Sequence, residues 1–519
     1  MPPTIKFNLA NDEVEDQICD QLTSRFQLRK NTPVTRRLRF YDTFDWRLFN
    51  RSHLLYSLDH IMNLRNMGEE LILYHLSCKQ PPQFIWDFPE SALEQHLKPI
   101  IKMRRLIKLV DLTSHTVPYR VLNADEKTVV WLSFETVRSR GPKNGFTIGT
   151  QIWIRPVKGY DKHAARMKKQ IQRLGFMPSN HEDVYFQALY EAGHDPGGYS
   201  AKLNLNLKPQ MRADEASRSI FRFLLKVIKT NEPQIKHDID TEVLHDYRVA
   251  IRRTRSALVW DKKIFNRNLI ARFQKDLAFV GKLSNELRDL DVYLLNQDKY
   301  KDMLAPVLRE DLNPLFDYLT KQRAAAFRKV VSSIQSVKYK NIMQSWEEFL
   351  TQTQPEESQG PAASYPVLQL ASKRITKQYR DIVKSGRRIL EDSEDEKLHK
   401  LRIKCKKLRY LIQFFANLYP QEKINTLVKQ LKKLQDMLGN FNDLCVQVDY
   451  LLDVSKKMPR NRSQSNRSLV AMGSLIGKLE TERQLTKDSF AVTFAGFAAL
   501  PNQMLFQDLF VHYPKKVTS

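Results

Sequence analysis

A chain of 519 residues, 42% of them hydrophobic, is too long for one ordinary core and too apolar for extended disorder, so two to four globular domains are expected. Its formal net charge of +26 points to a polyanionic partner: nucleic acid, inorganic polyphosphate or an anionic lipid surface. The four scattered cysteines, Cys19, Cys78, Cys405 and Cys445, include no Cys-x-x-Cys pair, which argues against a disulfide scaffold or zinc site and for a reducing cytoplasm.

The N-terminus lacks the basic-then-apolar pattern of a signal peptide, and the longest apolar run, 490–500, is too short to cross a bilayer, so an intracellular chain without a membrane span is expected. The first ~200 residues read as β-rich. Runs at 36–41, 53–60, 71–76, 127–137 and 147–157 alternate or are rich in β-branched residues, and an amphipathic helix follows at 160–174. The turn Asp195-Pro196-Gly197-Gly198 precedes a boundary placed between domains 1–204 and 205–519.

From Arg212 onward the apolar period becomes that of an α-helix. Candidate helices are 211–230, 241–261, 267–284, 289–299 and 308–335, then 366–391, 396–418, 422–438, 442–456, 469–485 and 487–499. The two sets are related by duplication. His399, Arg402, Lys406 and Arg409 each lie 154 positions after His245, Arg248, Arg252 and Arg255, and Asp443 lies 154 after Asp289. A gapless register over about 45 positions is an internal repeat. It predicts two helical bundles, about 205–340 and 360–519, facing each other across a pseudo-two-fold axis.

The shared spacing His-x2-Arg-x3-Arg/Lys-x2-Arg places all four side chains on one helix face, a cationic stripe roughly 15 Å long. Leu398, Leu401, Cys405, Leu408, Ile412 and Phe415 form a separate apolar stripe, as do Leu244, Tyr247, Ile251 and Leu258. Arg253 and Lys407 adjoin the cations. Ion pairing along a solvated helix is the plain alternative. It fails for 400–410, which holds six cations and no acid. Asp240 or Thr241, and Ser393 or Asp395, are candidate N-caps, and Asp289 and Asp443 are candidate partners orienting an arginine. At an offset of 155, Arg218, Arg222 and Lys229 match Lys373, Lys377 and Lys384; at 154, Lys275 matches Lys429, so these cations are expected to extend the paired surface.

His245-Asp-Tyr-Arg248-Val-Ala-Ile-Arg252-Arg253 and His399-Lys-Leu-Arg402-Ile-Lys-Cys-Lys406-Lys407-Leu-Arg409 resemble the signature helices of the CHAD family, the conserved-histidine α-helical domain. The segments LSNELRDLDVYLL and LGNFNDLCVQVDYL resemble its second motif. The resemblance covers about 205–510. It implies two pseudo-symmetric bundles whose basic faces bind inorganic polyphosphate, and association with polyphosphate granules in bacterial cells.

The N-terminal part is similar to a CYTH, or triphosphate tunnel, domain, through Tyr41-Asp42-Thr43-Phe44-Asp45-Trp46-Arg47-Leu48 and the strand-rich layout. The whole chain is thus expected to be α+β and multidomain: an antiparallel β tunnel or barrel, then an all-α domain. The metal-binding chemistry of that family is missing. Its Glu-x-Glu-x-Lys strand corresponds to Thr4-Ile5-Lys6-Phe7-Asn8, its Leu-Arg-x-Arg strand to Leu55-Tyr56-Ser57-Leu58, and its late acidic strand to residues 147–153, which carry no acid. A two-metal phosphohydrolase needs carboxylates to hold Mg²⁺ or Mn²⁺.

The expectation is a polyphosphate-binding protein without catalytic residue, metal or cofactor. Mg²⁺ or Mn²⁺ enters only if an inorganic triphosphatase site is rebuilt from acids such as Glu70 or Glu135. Nucleic acid, whose sequence readers interleave aromatic or base-edge groups with cations, is expected only as a non-specific competitor held by its backbone.

Overall fold

The computed structural model describes residues 4–9, 15–69, 71–140, 146–179, 183–260, 263–351, 359–390, 393–458 and 464–514, which fall into two units, Met1–Ser200 and Ala201–Ser519. Glu70 lies outside the described residues.

Unit one is built on antiparallel strands β1 (Ile5–Leu9), β2 (Gln27–Lys30), β3 (Val34–Thr43), β4 (His53–Leu58), β5 (Ile61–Asn66), β6 (Ile72–Ser77), β7 (Leu106–Leu122), β8 (Thr128–Ser139) and β9 (Thr147–Pro156). They form one sheet in the order β1-β9-β8-β7-β3-β4-β5-β6, with β2 paired to the end of β7. Five of them, β3, β4, β6, β8 and β9, answer to the strands expected from the sequence. The spine, β7, does not, because Pro118 interrupts its pattern. Pro118 is accommodated where one neighbour ends and another begins: β2 pairs through Tyr119 and β3 through Thr116. A proline there costs no ladder hydrogen bond on that edge.

Helices α1 (Glu15–Thr23) and α3 (Asp161–Arg173) close one core with Leu22, Met167 and Ile171 against Phe7, Val130, Leu132 and Ile154. Helix α2 (Ala92–Ile101) sets Leu93, Leu97 and Ile101 on Leu55, Met62 and Leu64, and α4 (Asp183–Glu191) sets Tyr185 and Leu189 on Leu38, Phe40 and Leu54. The Tyr-Asp-Thr turn is structural. Asp42 accepts hydrogen bonds from the backbone N–H groups of Thr43, Leu48 and Phe49, at 2.6, 3.0 and 2.8 Å, and Asp45 pairs with Arg47 and the buried Arg104.

Unit two runs α5 (Ala213–Lys236), α6 (Thr241–Trp260), α7 (Arg267–Lys282), α8 (Asn285–Leu295), α9 (Gln297–Asp302), α10 (Pro306–Arg309), α11 (Asn313–Gln335) and α12 (Val337–Thr351). It continues with α13 (Val367–Gly386), α14 (Asp395–Phe415), α15 (Gln421–Lys457), α16 (Gln464–Asp488), α17 (Phe490–Phe497) and α18 (Leu500–Gln507), then a π-helical turn, Asp508–His512. Two expectations change. The helices read at 422–438 and 442–456 are one helix, α15, because Leu434, Leu438, Phe441 and Leu444 carry a buried stripe straight past Gly439. The unexpected α12 buries Tyr339, Trp346, Phe349 and Leu350, and Trp346 packs edge-on to Phe221 and Phe273.

The duplication is visible in the backbone. Arg212 and Pro366, 154 positions apart, form an antiparallel bridge. Ala213 N–H donates to Tyr365 O at 2.9 Å, and Val367 N–H donates to Met211 O at 2.9 Å. One step further out, Asp214 N–H reaches Ala363 O at 3.1 Å and Leu368 N–H reaches Pro209 O at 3.2 Å. Each bond is its partner's copy under the 154-residue offset, so a local two-fold axis passes through this bridge.

Among the described residues no single helix is long and apolar enough to cross a membrane; only the pair Asn466–Phe497 and Leu500–His512, bent by 50°, reaches that length and apolarity together.

Candidate polyanion-binding site

Helix α6 starts under a side-chain cap: Asp240 Oδ1 accepts from the N–H groups of Glu242 and Val243 at 3.0 and 2.9 Å. Helix α14 has no such cap. Ser393 Oγ accepts from Leu390 N–H, and Asp395 is drawn off by Arg483 and by Lys487 at 2.9 Å, so neither acts as its N-cap. Both helices bury their apolar stripes, Tyr247, Ile251 and Leu258 in one and Leu401, Cys405 and Leu408 in the other. The cationic stripes are left on the remaining faces.

On α6, Arg248 Nη1 donates to Ser284 Oγ at 3.1 Å and to Asn285 Oδ1 at 2.9 Å, so the break between α7 and α8 holds its guanidinium. On α14, Arg402 Nη2 donates to Asp443 Oδ1 at 3.1 Å. The run 400–410 lacks an acid of its own, yet α15 supplies one, and Glu396 pairs with Lys400 at 3.0 Å from one turn upstream. Interhelical pairing was not legible in the spacing of a single helix. His399 Nδ1 donates to Asn442 Oδ1 at 2.6 Å. In the first half the matching position is Arg288, whose charge bears on His245, so the two histidines have opposite neighbours.

The two stripes meet. Arg252 of α6 is close enough to depress both Arg402 and Lys406 of α14 electrostatically, and Arg253 Nη2 donates to Gln413 Oε1 at 3.3 Å across the same junction. Burial, then Arg402 and Arg252, brings Lys406 down to about 8. Burial lowers Arg248 to about 10 against the pull of Asp289, with Arg252 and Arg288 adding to the fall. Burial, reinforced by Arg288, takes His245 to about 4. Arg253 and Arg402 are lowered as well, burial again leading. Within this cluster Arg253 Nε, Arg402 Nε, Arg409 Nε and Tyr410 Oη are buried without a hydrogen-bond partner among the described residues. Buried polar atoms in folded proteins are nearly always paired. The arrangement is a set of donors facing one another with too few acceptors.

Arg252 and Arg255 are exposed, Arg255 lying over Gly281 of α7, and Lys407 and Arg409 are half-buried. Lys275 and Lys429 are exposed on α7 and α15. Arg218 and Arg222 are committed elsewhere: they donate to the Phe349 and Leu350 carbonyls at 2.9 and 2.8 Å and so cap the C-terminus of α12. Arg218 also lies over the rings of Phe265 and Phe349. Lys373 and Lys377 line a separate groove on α13. Ser284, Asn285 and Gln413, the groups that orient Arg248 and Arg253, are not among the residues that the sequence points to. No local pattern marks them, since each acts from a different helix.

In unit one, Lys6, Tyr56, Arg65, Glu135 and Gln151 converge from five strands on a cavity of about 160 Å³. Glu135 is engaged by Ser114 Oγ at 2.5 Å, and Lys6 Nζ sits 3.6 Å over the Trp153 ring. Among the described residues no group of three His, Cys, Asp or Glu side chains is placed to hold a metal ion.

Residues 219–452 match the CHAD domain family. Two uncharacterized proteins of Mycobacterium tuberculosis, from strains CDC 1551 / Oshkosh and ATCC 25618 / H37Rv, are each 21% identical over 276 residues, which is 51% of this chain and 52% of theirs. The chain thus spans about half the length of the curated relatives it matches, 52%. The crystal structure of the CHAD domain from the plant Ricinus communis aligns at 23% identity and a TM-score of 0.49, over 58% of this chain and 96% of that one. PptA from Streptomyces chartreusis aligns at 14% and 0.43, over 55% and 99%. The chain therefore carries a CHAD domain, matched over residues 219–452, behind an antiparallel β domain compatible with a CYTH-like one.

Proposed function

We propose that the CHAD domain binds inorganic polyphosphate along the junction of α6 and α14, and that it does so where the polymer accumulates in the cell. The observation that carries the reading is the cluster of cations from both halves that contains three buried guanidinium Nε atoms without acceptors among the described residues. A chain of phosphates brings both what the cluster lacks, oxygen acceptors, and what it strains against, negative charge. Arginine forks take two phosphate oxygens at once, while Lys406 acts as a point charge. No aromatic ring stands free among the stripe cations to stack on a base: Tyr247 and Tyr410 are buried.

Long-chain polyphosphate is expected to displace duplex DNA and RNA from the full-length protein at equal phosphate concentration and physiological salt. Fluorescence competition reads this, and preference for nucleic acid would sink the proposal. For unit one we propose no hydrolysis, since Glu135 is held by Ser114 rather than grouped with other acids. Tripolyphosphate incubated with the protein and Mg²⁺ or Mn²⁺ is expected to release no phosphate above background. Robust turnover would restore the triphosphatase reading.

A further inference from the structure

The face of α13 turned away from its core carries Lys373, Lys377, Arg380 and Lys384, and Arg387 and Arg388 follow just past its end at Gly386. All six are exposed, and none forms an ion pair or side-chain hydrogen bond among the described residues. The equivalent row in the first half is different. There Arg218 and Arg222 bind the last carbonyls of α12, and Lys229 pairs with Glu347 of the same helix. A helix end neutralises that row from inside the protein.

In the second half the covering element is the C-terminal stretch around α18 and the π turn. It turns no acid to the groove: it presents Gln503, Phe506, Gln507 and Val511, while its acid, Asp508, binds Lys423 at 2.5 Å. Two cavities remain along α13, about 460 and 550 Å³, and they share Thr376, Arg380 and Val511 as lining, so they form one continuous groove. Asp381 is the acid that lines it. On its floor Tyr379, stacked on Phe506, buries its Oη without a hydrogen-bond partner among the described residues. The C-terminal wall lies beyond the residues matched by the family, 219–452.

We propose that this groove is a second binding lane for linear polyphosphate, separate from the α6–α14 junction, resting on the reading that the CHAD domain binds this polymer. A compact anion would meet two or three of the cations and leave the others bare. A chain charged along its whole length meets all of them. The partly apolar floor of Tyr379, Val383, Phe506 and Val511 supplies no carboxylate to compete for the cations beside it. No β edge or row of free backbone donors is present in α13 to hold a peptide by its main chain.

Titration calorimetry of the full-length protein with a short linear polyphosphate of defined length tests the proposal through stoichiometry. The wild type is expected to bind two chains. Lys384→Glu/Arg387→Glu/Arg388→Glu is expected to bind one, and so is Arg252→Glu/Arg409→Glu, since each removes a different lane. The neutral variant Arg380→Gln/Arg387→Gln, milder for folding, is expected to weaken the second lane at least tenfold. One chain per wild-type molecule, lost in the Arg252/Arg409 variant alone, overturns the groove and leaves the proposed function standing. Absence of any binding overturns both. Polyglutamate of matched charge occupying the groove in preference to polyphosphate would reassign it to an acidic protein segment.

Discussion

Arg252→Glu combined with Arg409→Glu is expected to weaken long-chain polyphosphate binding at the stripe junction by about a hundredfold or more, from charge-assisted contacts of about 1.5–3 kcal/mol each. These two positions test the stripe more cleanly than Arg248 and Arg402. Arg248 is tied to Ser284 and Asn285, and Arg402 to Asp443, so reversing either would disturb packing between helices as well as binding. Arg252 is exposed, and Arg409 offers a buried Nε with no acceptor among the described residues. The control reverses Arg36 and Arg155, both exposed in unit one, which subtracts the same charge. Filter-binding or fluorescence titration at fixed salt should show a loss under about threefold for the control, the size expected of exposed charges outside the binding stripe that salt screens. Equal losses in the two double variants would mean that net charge alone governs binding.

Proton linkage gives the second large effect. Lys406 is held at about 8 by burial and by Arg402 and Arg252, so much of it is neutral above that pH in the free protein. A bound phosphate favours the ammonium form and raises its pKa again. Binding is therefore expected to take up close to one proton near pH 9, and affinity is expected to fall by up to tenfold per pH unit above about 8. Calorimetry in buffers of different ionisation enthalpy reads the proton directly, and Lys406→Arg should flatten the profile. The stability of the free protein runs the other way. A lysine depressed in the folded state opposes folding while charged, so the unfolded chain binds more protons between about 8 and the ordinary lysine value of 10.5. Stability then rises with pH over that window while affinity falls. A parallel fall in both would show simple alkaline unfolding instead. His245, held at about 4, is neutral at pH 7 in the free protein and is expected to add affinity only as pH drops toward that value. His399 commits its Nδ1–H to Asn442 Oδ1 and leaves Nε2 as the ring nitrogen open to a phosphate.

The parts of the site that rest on helical period and on repetition are legible one residue at a time. His245 to Arg255 and His399 to Arg409 needed nothing beyond the 3.6-residue turn and the 154-position offset. What stayed hidden depends on partners from other helices. Asp443 neutralises Arg402 from α15, and α12, itself unforeseen, absorbs Arg218 and Arg222. The same applies to the fold. The regular amphipathic helix at 160–174 is visible locally and appears as Asp161–Arg173. Strand β7 reads as broken at Pro118 until the boundary between its two neighbours is known. The continuity of α15 across Gly439 is decided by the buried residues on either side.

The bridge at Arg212 and Pro366 has one more consequence. Because each strand segment there pairs with its own copy, the contact is isologous, of the kind found between identical subunits of a two-fold dimer. The unit Ala201–Ser519 is in this sense a dimer written into one chain. A symmetric dimer must carry two identical faces, whereas a fused one is free to let them drift apart. Arg288 and Asn442, facing one histidine each, record that drift, and they give the junction of α6 and α14 two unlike ends.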